Sequence, residues 1–267
     1  MNIGKRIRMN RLFSDPSQNL CTIAIDHFIA YTQTLPTELI HMQTTLAKIM
    51  AAKPDAVTMH KGAAMNFWHP YAGTAALIIQ SVLVRPDDSF YEQAVTPEEA
   101  IRLGADALAI EVFVNGEREG KNLGVVADVV RDAARFELPV ILHSYPRDPD
   151  NLSHILTTPE AIAWAVHCGI ELGVDIIKTP YCGDPASFTQ IVADCPVPIV
   201  AAGGSKTDHL EEALKMVSQV IQCGARGATI GRNAWGYPNI TGAVRAFKAV
   251  IHEEKSPEDA AFLAAEK

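Results

Sequence analysis

Lys178 is the residue whose setting points most directly to chemistry, because it lies in the apolar, β-branched run 175–181. Such a run is typical of a buried strand. Burial disfavours an ammonium group, so we expect an apolar interior to lower the pKa of this lysine from about 10.4 toward neutrality. A neutral lysine amine attacks carbonyl carbons and forms Schiff bases. The simpler alternative is a lysine at a strand end that reaches solvent or pairs with a carboxylate.

Other apolar runs also end in polar residues whose side chains could meet Lys178. These residues are Asp26, His60, His143 and Tyr145. Taken singly, Asp26 could cap the loop that follows it, Tyr145 could be a half-buried aromatic, and the histidines could be hydrogen-bonded walls of a site. An acid, a phenol and a lysine at the same end of three different strands rarely arise by chance. The pattern therefore predicts one pocket in which they converge.

Two glycine-containing segments, 202–207 and 230–234, follow later apolar runs. Glycine lets backbone N–H groups approach an anion closely, and a helix N-terminus adds partial positive charge. Lys206 and Arg232 could reinforce such a site. We interpret the two segments as a site for phosphate or a similar anion, although two tight strand–helix turns would explain them more simply. The glycines concerned are Gly203, Gly204 and Gly231.

Eight short apolar runs must position these residues, and amphipathic stretches alternate with them. The predicted strands are 20–26, 56–60, 76–82, 107–112, 139–145, 175–181, 198–204 and 227–233. The predicted helices are 37–52, a short one around Phe67, 97–103, 123–137, 159–172, 185–194, 208–223 and 240–253. Before strands four, six and eight a glycine stands where a helix should end in the left-handed conformation.

This alternation predicts an α/β protein with a single (β/α)8 TIM barrel, spanning residues 1–267 as one domain with a short N-terminal extension. The main alternative is a doubly wound open sheet, which would usually carry G-x-G-x-x-G near its first strand; the sequence has none there. In a (β/α)8 barrel the site lies at the C-terminal ends of the strands. That is where the polar residues above are expected.

The composition excludes several classes of protein. The chain has 267 residues, 48% hydrophobic and 20% charged, as in soluble globular proteins. Its net charge of −8 and lack of a basic run argue against a nucleic-acid partner, and no apolar stretch is long enough for a membrane span. The N-terminus lacks the apolar core of a signal peptide. The five cysteines form no C-x-x-C pair, so we expect reduced thiols and a cytoplasmic location.

Taken together, the motifs resemble the class I aldolases of the DeoC/LacD superfamily. The similar branch comprises archaeal-type fructose-bisphosphate aldolases, aminodideoxyheptulosonate synthase and the autoinducer-2 thiolase. The motifs occur in the family's order: Asp26-His27, His60-Lys61-Gly62, Tyr145-Pro146-Arg147, Ile177-Lys178-Thr179-x-Tyr181, Gly203-Gly204-x-Lys206 and Gly231-Arg232-Asn233. The resemblance covers nearly the whole chain. The combination of motifs is specific, although no single motif is.

The resemblance implies a Schiff-base lysine, matched by Lys178, a tyrosine acid/base, matched by Tyr145, and an aspartate near the carbinolamine, matched by Asp26. It also implies phosphate held by the last two loops, matched by Gly204, Lys206, Gly231 and Arg232. His27, His60 and His143 are predicted to line the substrate site. Neither a metal nor an organic cofactor is expected. Family members are often large homo-oligomers, frequently decamers, so a homo-oligomer is expected here.

Three segments depart from the family pattern. Residues 28–31 follow Asp26-His27 where the family has glycine and a short Gly-Pro loop. The tyrosine motif continues to Asp148 where the family usually has glycine, and strand four carries an unexpected Glu111. These segments shape the substrate mouth, so the departures put fructose bisphosphate itself in question as the substrate. They leave the Lys–Tyr–Asp core intact.

We therefore expect a class I aldolase that forms a lysine Schiff base with a phosphorylated ketone or ketose. Three other functions stay open. The same lysine could serve thiolase-type acyl transfer, which requires coenzyme A. The histidines at positions 27, 60 and 143 could bind zinc for a metal-dependent aldolase, but the lysine would then have no task. Lastly, the chain could be a non-catalytic anion-binding barrel.

Overall fold

The computed structural model describes residues 2–27, 36–85, 87 and 89–265. Its strands are β1 Leu20–Ala24, β2 Ala56–His60, β3 Ala76–Gln80, β4 Val82–Val84, β5 Tyr91–Gln93, β6 Ala107–Val114, β7 Val140–Asp148, β8 Asn151–Ile155, β9 Ile176–Thr179, β10 Ile199–Ala202 and β11 Gly227–Ile230. Its helices are α1 Ile3–Leu12, α2 Thr37–Ile40, α3 Met42–Ala51, α4 Lys61–Phe67, α5 Pro97–Arg102, α6 Glu119–Ala134, α7 Pro159–Leu172, α8 Pro185–Asp194, α9 Leu210–Gln222, α10 Arg232–Trp235, α11 Ile240–Glu253 and α12 Pro257–Ala265.

Eight parallel strands form a closed barrel. Their order around it is β1, β2, β3, β6, β7, β9, β10, β11, and β11 pairs with β1 to close the ring. Helices separate the consecutive barrel strands along the chain, as in a (β/α)8 TIM barrel. The predicted fold is confirmed. None of the helices in the described ranges combines the length and the apolar character needed to span a bilayer.

The element boundaries differ from the predicted ones mainly at the C-terminal ends of strands. β1 ends at Ala24, so Asp26 lies in the loop just beyond it, and β11 ends at Ile230, so Arg232 begins the short helix α10. The strand-like backbone continues one residue past β1, where the Ile25 amide donates to the Thr58 carbonyl over 2.9 Å. The predicted helix 37–52 is two helices, α2 and α3, with a break at His41.

The barrel interior changes from apolar to polar along its axis. Alternate strand residues face inward, and those nearest the strand N-termini form a separate apolar cluster. That cluster includes Leu20, Ala56, Ala76, Ala107, Ile176 and Val200. Two or more residues further along the same strands, the inward positions carry Thr22, Thr58, Gln80, Glu111, His143 and Lys178. The apolar layer closes one end of the barrel and leaves the polar layer at the other.

The predicted N-terminal extension is helix α1, which packs across the apolar end of the barrel. Leu12 belongs to the same apolar cluster as the barrel interior. Lys5 Nζ contacts Asp175 Oδ1 at 2.9 Å, and Arg11 contacts Asp106 at 2.9 Å. Both aspartates stand immediately before barrel strands, so the two ion pairs fix α1 against the N-terminal ends of β9 and β6.

Two antiparallel hairpins at the opposite end were not predicted from the sequence. β4 pairs with β5, and β7 runs past the barrel rim and pairs with β8 through an irregularity at Arg147 and Asp148. Val82 and Val84 of the first hairpin, and Ser153 and Ile155 of the second, line the cavity at the carboxyl ends of the strands. The hairpins therefore form part of the mouth of the barrel.

The glycines predicted to end three helices adopt the left-handed conformation. Gly104, Gly173 and Gly224 have φ angles of 80°, 73° and 90°. In that region an L-residue with a Cβ is strained, whereas glycine is not. The repeated Gly-x-x pattern before strands thus has a purely structural cause.

Candidate active site

A cavity of about 730 Å³ opens at the carboxyl ends of the barrel strands. Most of the predicted site residues line it: Asp26, His27, His60, Tyr145, Lys178, Gly203, Gly204, Gly231 and Arg232. Two predicted residues, His143 and Lys206, are not among its described lining residues. The closed barrel brings the first group together because parallel strands all end at the same rim.

Lys178 lies on β9, buried, with its side chain in this cavity. It is in register with His143 of β7, and its ammonium is hydrogen-bonded to the Tyr145 hydroxyl. Its Nζ lies 5.8 Å from the centroid of the Tyr145 ring. The nucleophile and the phenol predicted from the sequence are therefore direct neighbours.

The predicted lowering of the Lys178 pKa was wrong. Burial does act to lower it, but three neighbours with acidic groups outweigh burial and raise the pKa above its ordinary value: Tyr145, Asp26 and Glu111. The prediction assumed an apolar interior, whereas this level of the barrel is polar. Without substrate, Lys178 is a charged ammonium, and a proton must leave it before it can attack a carbonyl.

Asp26 lies just past β1, and its side chain lines the same cavity. Gln80 Nε2 donates to its Oδ2 over 3.1 Å, and His27 Nδ1 lies 3.6 Å from its Oδ1. Burial would raise the pKa of Asp26, yet nearby basic side-chain groups overcome burial and lower it to about 2. These groups are His27, Lys178, His143 and His60. Asp26 is therefore a permanent carboxylate.

The histidines take different positions. Burial lowers the pKa of His27 to about 4 in spite of Asp26, so its ring is neutral. The ring packs edge-on against Trp235, with 5.9 Å between centroids. His143 is fully buried, and burial with the nearby Lys178 lowers its pKa well below the usual value. Among the described residues, no group of three or more His, Cys, Asp or Glu side chains is arranged to hold a metal ion.

The buried side chain of Asn233 joins the loops after β10 and β11, a role that was not predicted from the sequence. Asn233 Nδ2 donates to the carbonyls of Gly203 (2.9 Å) and Ser205 (2.7 Å), and its Oδ1 accepts from the Thr207 amide (2.9 Å). These bonds hold the two predicted anion loops side by side. In the sequence, the hint of this role was the type of residue: the Asn233 side chain is an amide, which can donate and accept hydrogen bonds at the same time.

Arg232 and Gly231 lie at the start of α10, inside the cavity. The Arg232 guanidinium donates to the Gly204 carbonyl over 3.3 Å, and its buried Nε has no hydrogen-bond partner within the described ranges. A Cβ on Gly231 would lie 2.5 Å from His27, so only glycine fits there. Lys206, by contrast, is exposed and turns toward Tyr237, with Nζ 5.6 Å from that ring's centroid.

Of the three segments that depart from the family pattern, two can be located. Glu111 lies on β6 and lines the cavity, and Asp148 lies at the irregular end of β7. Residues 28–31 fall outside the described part of the chain. Arg147, beside Asp148, is fully buried with its guanidinium carbon 4.1 Å above the Phe113 ring. The mouth thus has its own set of side chains around a Lys–Tyr–Asp centre.

A buried lysine hydrogen-bonded to a tyrosine, with an aspartate in the same cavity at the carboxyl end of a closed parallel barrel, is the arrangement of a class I aldolase. Comparison with known proteins is consistent with that class. The profile of the DeoC/LacD family aldolases matches residues 20–236, and the chain belongs to that family. The match runs from β1 to the residue after α10 and so contains all the barrel strands. The protein is accordingly an aldolase, a carbon–carbon lyase.

Two curated relatives illustrate the range of the family. The chain is 32% identical over 260 residues to 2-amino-3,7-dideoxy-D-threo-hept-6-ulosonate synthase of Halobacterium salinarum, covering 96% of this chain and 95% of that protein. It is 32% identical over 205 residues to the class 1 fructose-bisphosphate aldolase of Thermoproteus tenax, covering 75% of this chain and 76% of that one.

A solved structure gives the same architecture. An archaeal fructose-1,6-bisphosphate aldolase, with its catalytic lysine covalently bound to the carbinolamine intermediate of its substrate, superposes with a TM-score of 0.82 at 28% identity. The alignment covers 93% of this chain and 99% of that one. The barrel and its connections therefore follow an established Schiff-base aldolase.

Proposed function

We propose that this aldolase acts on a phosphorylated ketone or ketose, with Lys178 as the Schiff-base residue. The observation that carries the proposal is the position of Lys178 in the cavity, hydrogen-bonded to Tyr145, with the anion loops in the same cavity. A ketone bound to the lysine would thus have its own phosphate within reach of Gly203, Gly204 and Arg232. The name of the Thermoproteus relative, a fructose-bisphosphate aldolase, supports a phosphorylated substrate.

The reaction begins when the deprotonated amine of Lys178 adds to the ketone carbon. A C–N bond forms, the carbonyl π pair moves to oxygen, and a carbinolamine results. Loss of water gives an iminium, which withdraws electrons from the adjacent carbon. In cleavage, the aldol hydroxyl loses its proton and its carbon leaves as an aldehyde, while the electron pair of the broken carbon–carbon bond flows into the iminium and gives an enamine. Protonation of the enamine carbon and hydrolysis then release the ketone and free the lysine.

Tyr145 and Asp26 have separate tasks in this scheme. The Tyr145 hydroxyl, hydrogen-bonded to Lys178, exchanges a proton with the aldol hydroxyl as the carbon–carbon bond breaks or forms. Asp26 is a carboxylate at all working pH values and so acts by charge and hydrogen bonding. It stabilises the cationic iminium and orients substrate hydroxyls. His27, whose ring is neutral, and His60 line the cavity as polar walls in contact with the substrate, and the buried His143 lies in register with Lys178 on the neighbouring strand.

The anion site is formed by backbone and guanidinium donors. Gly204 has φ +73°, in the left-handed region that glycine adopts without strain, and Asn233 holds this loop against the start of α10. The Arg232 guanidinium, which lines the cavity beside Gly204, supplies a charged donor. Lys206 stands outside the lining, so its contribution in this proposal is a positive charge near the loops rather than a direct contact.

Borohydride trapping tests the proposal. Incubation with dihydroxyacetone phosphate and borohydride, followed by peptide mass spectrometry, should give a reduced adduct on Lys178 that is absent from Lys178→Ala. Lys215→Ala, which removes an exposed lysine on α9, serves as the matched control and should keep the adduct. Failure to find an adduct on Lys178 with any ketone of a phosphorylated and unphosphorylated panel would refute the Schiff-base assignment.

The phosphate site is tested in the same assay with Arg232→Ala. The variant should need a roughly 10- to 100-fold higher concentration of dihydroxyacetone phosphate for half-maximal trapping, because a charge-assisted bond is worth about 1.5–3 kcal/mol. Trapping of dihydroxyacetone, which lacks the phosphate, should be unchanged. Arg245→Ala, on the exposed side of α11, is the control. If Arg232→Ala weakened the trapping of dihydroxyacetone phosphate and of dihydroxyacetone equally, Arg232 would have a structural role instead.

The proposal includes a cytoplasmic homo-oligomer, of up to ten subunits. The described cysteines are all unpaired thiols, which supports a reducing compartment. Met65, Trp164 and Phe262 are large apolar side chains that are 63%, 47% and 70% exposed, which supports burial between subunits. Sedimentation velocity of the purified protein would give the assembly mass directly, and a monomer at micromolar concentration would reject this part.

A further inference from the structure

Glu111 occupies an inward position of β6, next to the reacting centre. It is in register with His143 of β7, and His143 is in register with Lys178 of β9. In-register residues of neighbouring strands point to the same side of a sheet, so the three side chains stand side by side on the inner wall. Glu111 and Lys178 both line the cavity. The described residues donate no hydrogen bond to the Glu111 carboxylate, although the Tyr91 hydroxyl donates to its backbone carbonyl over 2.8 Å.

The charges around Glu111 come from several strands. The ionisable groups that face it are Lys178 on β9, Asp26 after β1, Arg147, Tyr145 and His143 on β7, and Tyr91 on β5. Burial raises the pKa of Glu111 to about 7, and the Asp26 carboxylate adds to this. Lys178 and Arg147 act in the opposite direction without cancelling it. Glu111 therefore changes its protonation state near neutral pH, unlike Asp26.

The proposed function leaves one proton transfer without a suited partner. Lys178 is an ammonium before substrate binds and must lose a proton. Asp26, with a pKa of about 2, is a weak base, and burial raises the pKa of Tyr145, which makes its hydroxyl a weak acid. Acid–base catalysis works best with a group that titrates near the working pH. Among the groups that face Lys178, Glu111 meets this condition.

We propose that Glu111 is an additional acid–base residue, whose carboxylate takes a proton from the Lys178 ammonium through a water molecule in the cavity and returns it to the hydroxyl that leaves the carbinolamine. This inference rests on the proposed Schiff-base function and deepens it. It adds a member to the catalytic set that the Lys–Tyr–Asp centre does not contain.

The protons balance over the cycle. The ammonium begins with three N–H protons and the iminium keeps one, so two must reach the carbonyl oxygen to form water. One passes from nitrogen to Glu111 and later to the departing hydroxyl. The other reaches the carbinolamine oxygen through Tyr145, which regains it from the nitrogen. Glu111 ends as the carboxylate it was at the start, and no oxidant, metal or further reactant is needed.

The sign of the effect in Glu111→Gln separates this role from a simple counter-ion. A counter-ion holds Lys178 in its charged form, so removing its charge would give more free amine and faster adduct formation at neutral pH. A proton-transfer residue has the opposite effect, because its loss slows formation of the iminium. Glutamine matches glutamate in size and cannot accept or return the proton, so the two roles predict opposite changes.

The experiment measures the rate of borohydride-trapped adduct on Lys178 with dihydroxyacetone phosphate, from pH 5.5 to pH 9. We expect the wild type to show a break near pH 7, and Glu111→Gln to lose that break and to be about 100-fold slower at pH 7. Glu98→Gln, an exposed glutamate on α5, is the matched control and should behave as wild type. A Glu111→Gln rate equal to or above wild type, or an unchanged break, would overturn the inference.

A second variant keeps the test decisive if Glu111→Gln does not fold. Glu111→Asp retains a carboxylate one methylene further from Lys178. It should keep a pH break, displaced from that of the wild type, with a rate between those of wild type and the glutamine variant. If the pH dependence of the trapping rate in Glu111→Asp were identical to that of the wild type, this would count against an acid–base role for Glu111. Absence of any wild-type adduct would instead mean that the Schiff-base function itself is wrong, so the two failures are distinguishable.

Discussion

At the scale of single residues, the state of Lys178 depends on side chains from three other parts of the barrel. Asp26 and Glu111 oppose the effect of burial, and Tyr145 holds the ammonium by a hydrogen bond. Lys178 could be singled out from the sequence because it lies within an apolar run, and Tyr145 and Asp26 because each ends one. The charge of Lys178 could not be predicted from the sequence, because it is set by neighbours that lie more than thirty residues away along the chain. The same limit applies to Lys206, whose direction depends on Tyr237.

Replacing Tyr145 by phenylalanine removes the hydroxyl and leaves the ring against Phe113, where the centroids are 5.9 Å apart. We expect turnover to fall about 100-fold, because a positioned acid–base group contributes that order of rate. The Lys178 adduct should remain trappable, since the nucleophile is intact. Tyr71→Phe, on a tyrosine that packs against Trp68 away from the cavity, is the control. Unchanged turnover in Tyr145→Phe would remove the phenol from the mechanism.

Glu111 also predicts how stability depends on pH. Its pKa is about 7 in the folded protein against an ordinary value of 4.5, so the folded state binds its proton more tightly. The resulting stabilisation is complete below pH 4.5 and is lost as the pH rises through about 7. Glutamine does not titrate, so Glu111→Gln should gain stability relative to wild type between pH 5 and pH 8. Urea unfolding of both proteins at pH 5 and pH 8 measures this. A difference in unfolding free energy between wild type and variant that is the same at the two pH values would contradict the raised pKa.

At the scale of elements, the regular barrel was predictable and the additions at its mouth were not. The eight barrel strands are apolar runs with capped helices between them, such as α5 behind Thr96, whose hydroxyl accepts from the Glu99 amide. The strands β4 and β5 have only three residues each, too few for a periodic pattern. β8 is largely exposed and polar, so it lacks the apolar signal of a strand. Asn233 acts through three backbone partners that only the fold brings near.

Two glycines give a matched test of local conformation. Gly173 ends α7 with φ +73°, and Gly124 lies inside α6; a Cβ at either would meet no atom within 4 Å. Gly173→Ala should lower the unfolding free energy by about 1–2 kcal/mol, because an L-residue is strained in the left-handed region. Gly124→Ala should raise it by up to about 1 kcal/mol, because alanine favours a helix interior. Denaturant unfolding of both variants checks the sign, and changes of the same sign would contradict the assigned backbone conformations.

At the scale of the whole molecule, the barrel has a sealed end and a reactive end. The apolar layer and α1 close the first, and the cavity with its hairpins forms the second. This polarity follows from the sequence, because in most barrel strands the apolar inward residues precede the polar ones, whereas β10 is wholly apolar. The sequence predicted α1 only as a short N-terminal extension and did not predict that it covers the apolar end of the barrel. Its ion pairs join residues about 95 to 170 positions apart and have no signature in the sequence.

Asp175 tests how firmly α1 is attached to the barrel. Its carboxylate accepts from Lys5 Nζ (2.9 and 3.0 Å) and from the Val140 amide (3.0 Å). Asp175→Asn keeps an acceptor for the amide and loses the ion pair, so it should cost up to about 1 kcal/mol of unfolding free energy. Asp175→Ala also leaves the amide without that partner and should cost about 2–3 kcal/mol. Lys5→Ala is the matched control for the ion pair and should resemble Asp175→Asn. Equal unfolding energies for the asparagine and alanine variants would show that the amide contact contributes nothing.

The two hairpins at the mouth bear on how this enzyme can change over evolutionary time. Each leaves the barrel and returns at nearly the same point, β4–β5 between β3 and α5 and β7–β8 between β7 and α7. The register that places Lys178 is set by residues 141–143 of β7, ahead of the part that pairs with β8, so we expect insertions and deletions in the hairpins to leave that register unchanged. The chemistry can therefore stay constant while the recognition of the second reactant drifts. For an engineer, the hairpins are the parts to exchange between relatives when a new aldol acceptor is wanted.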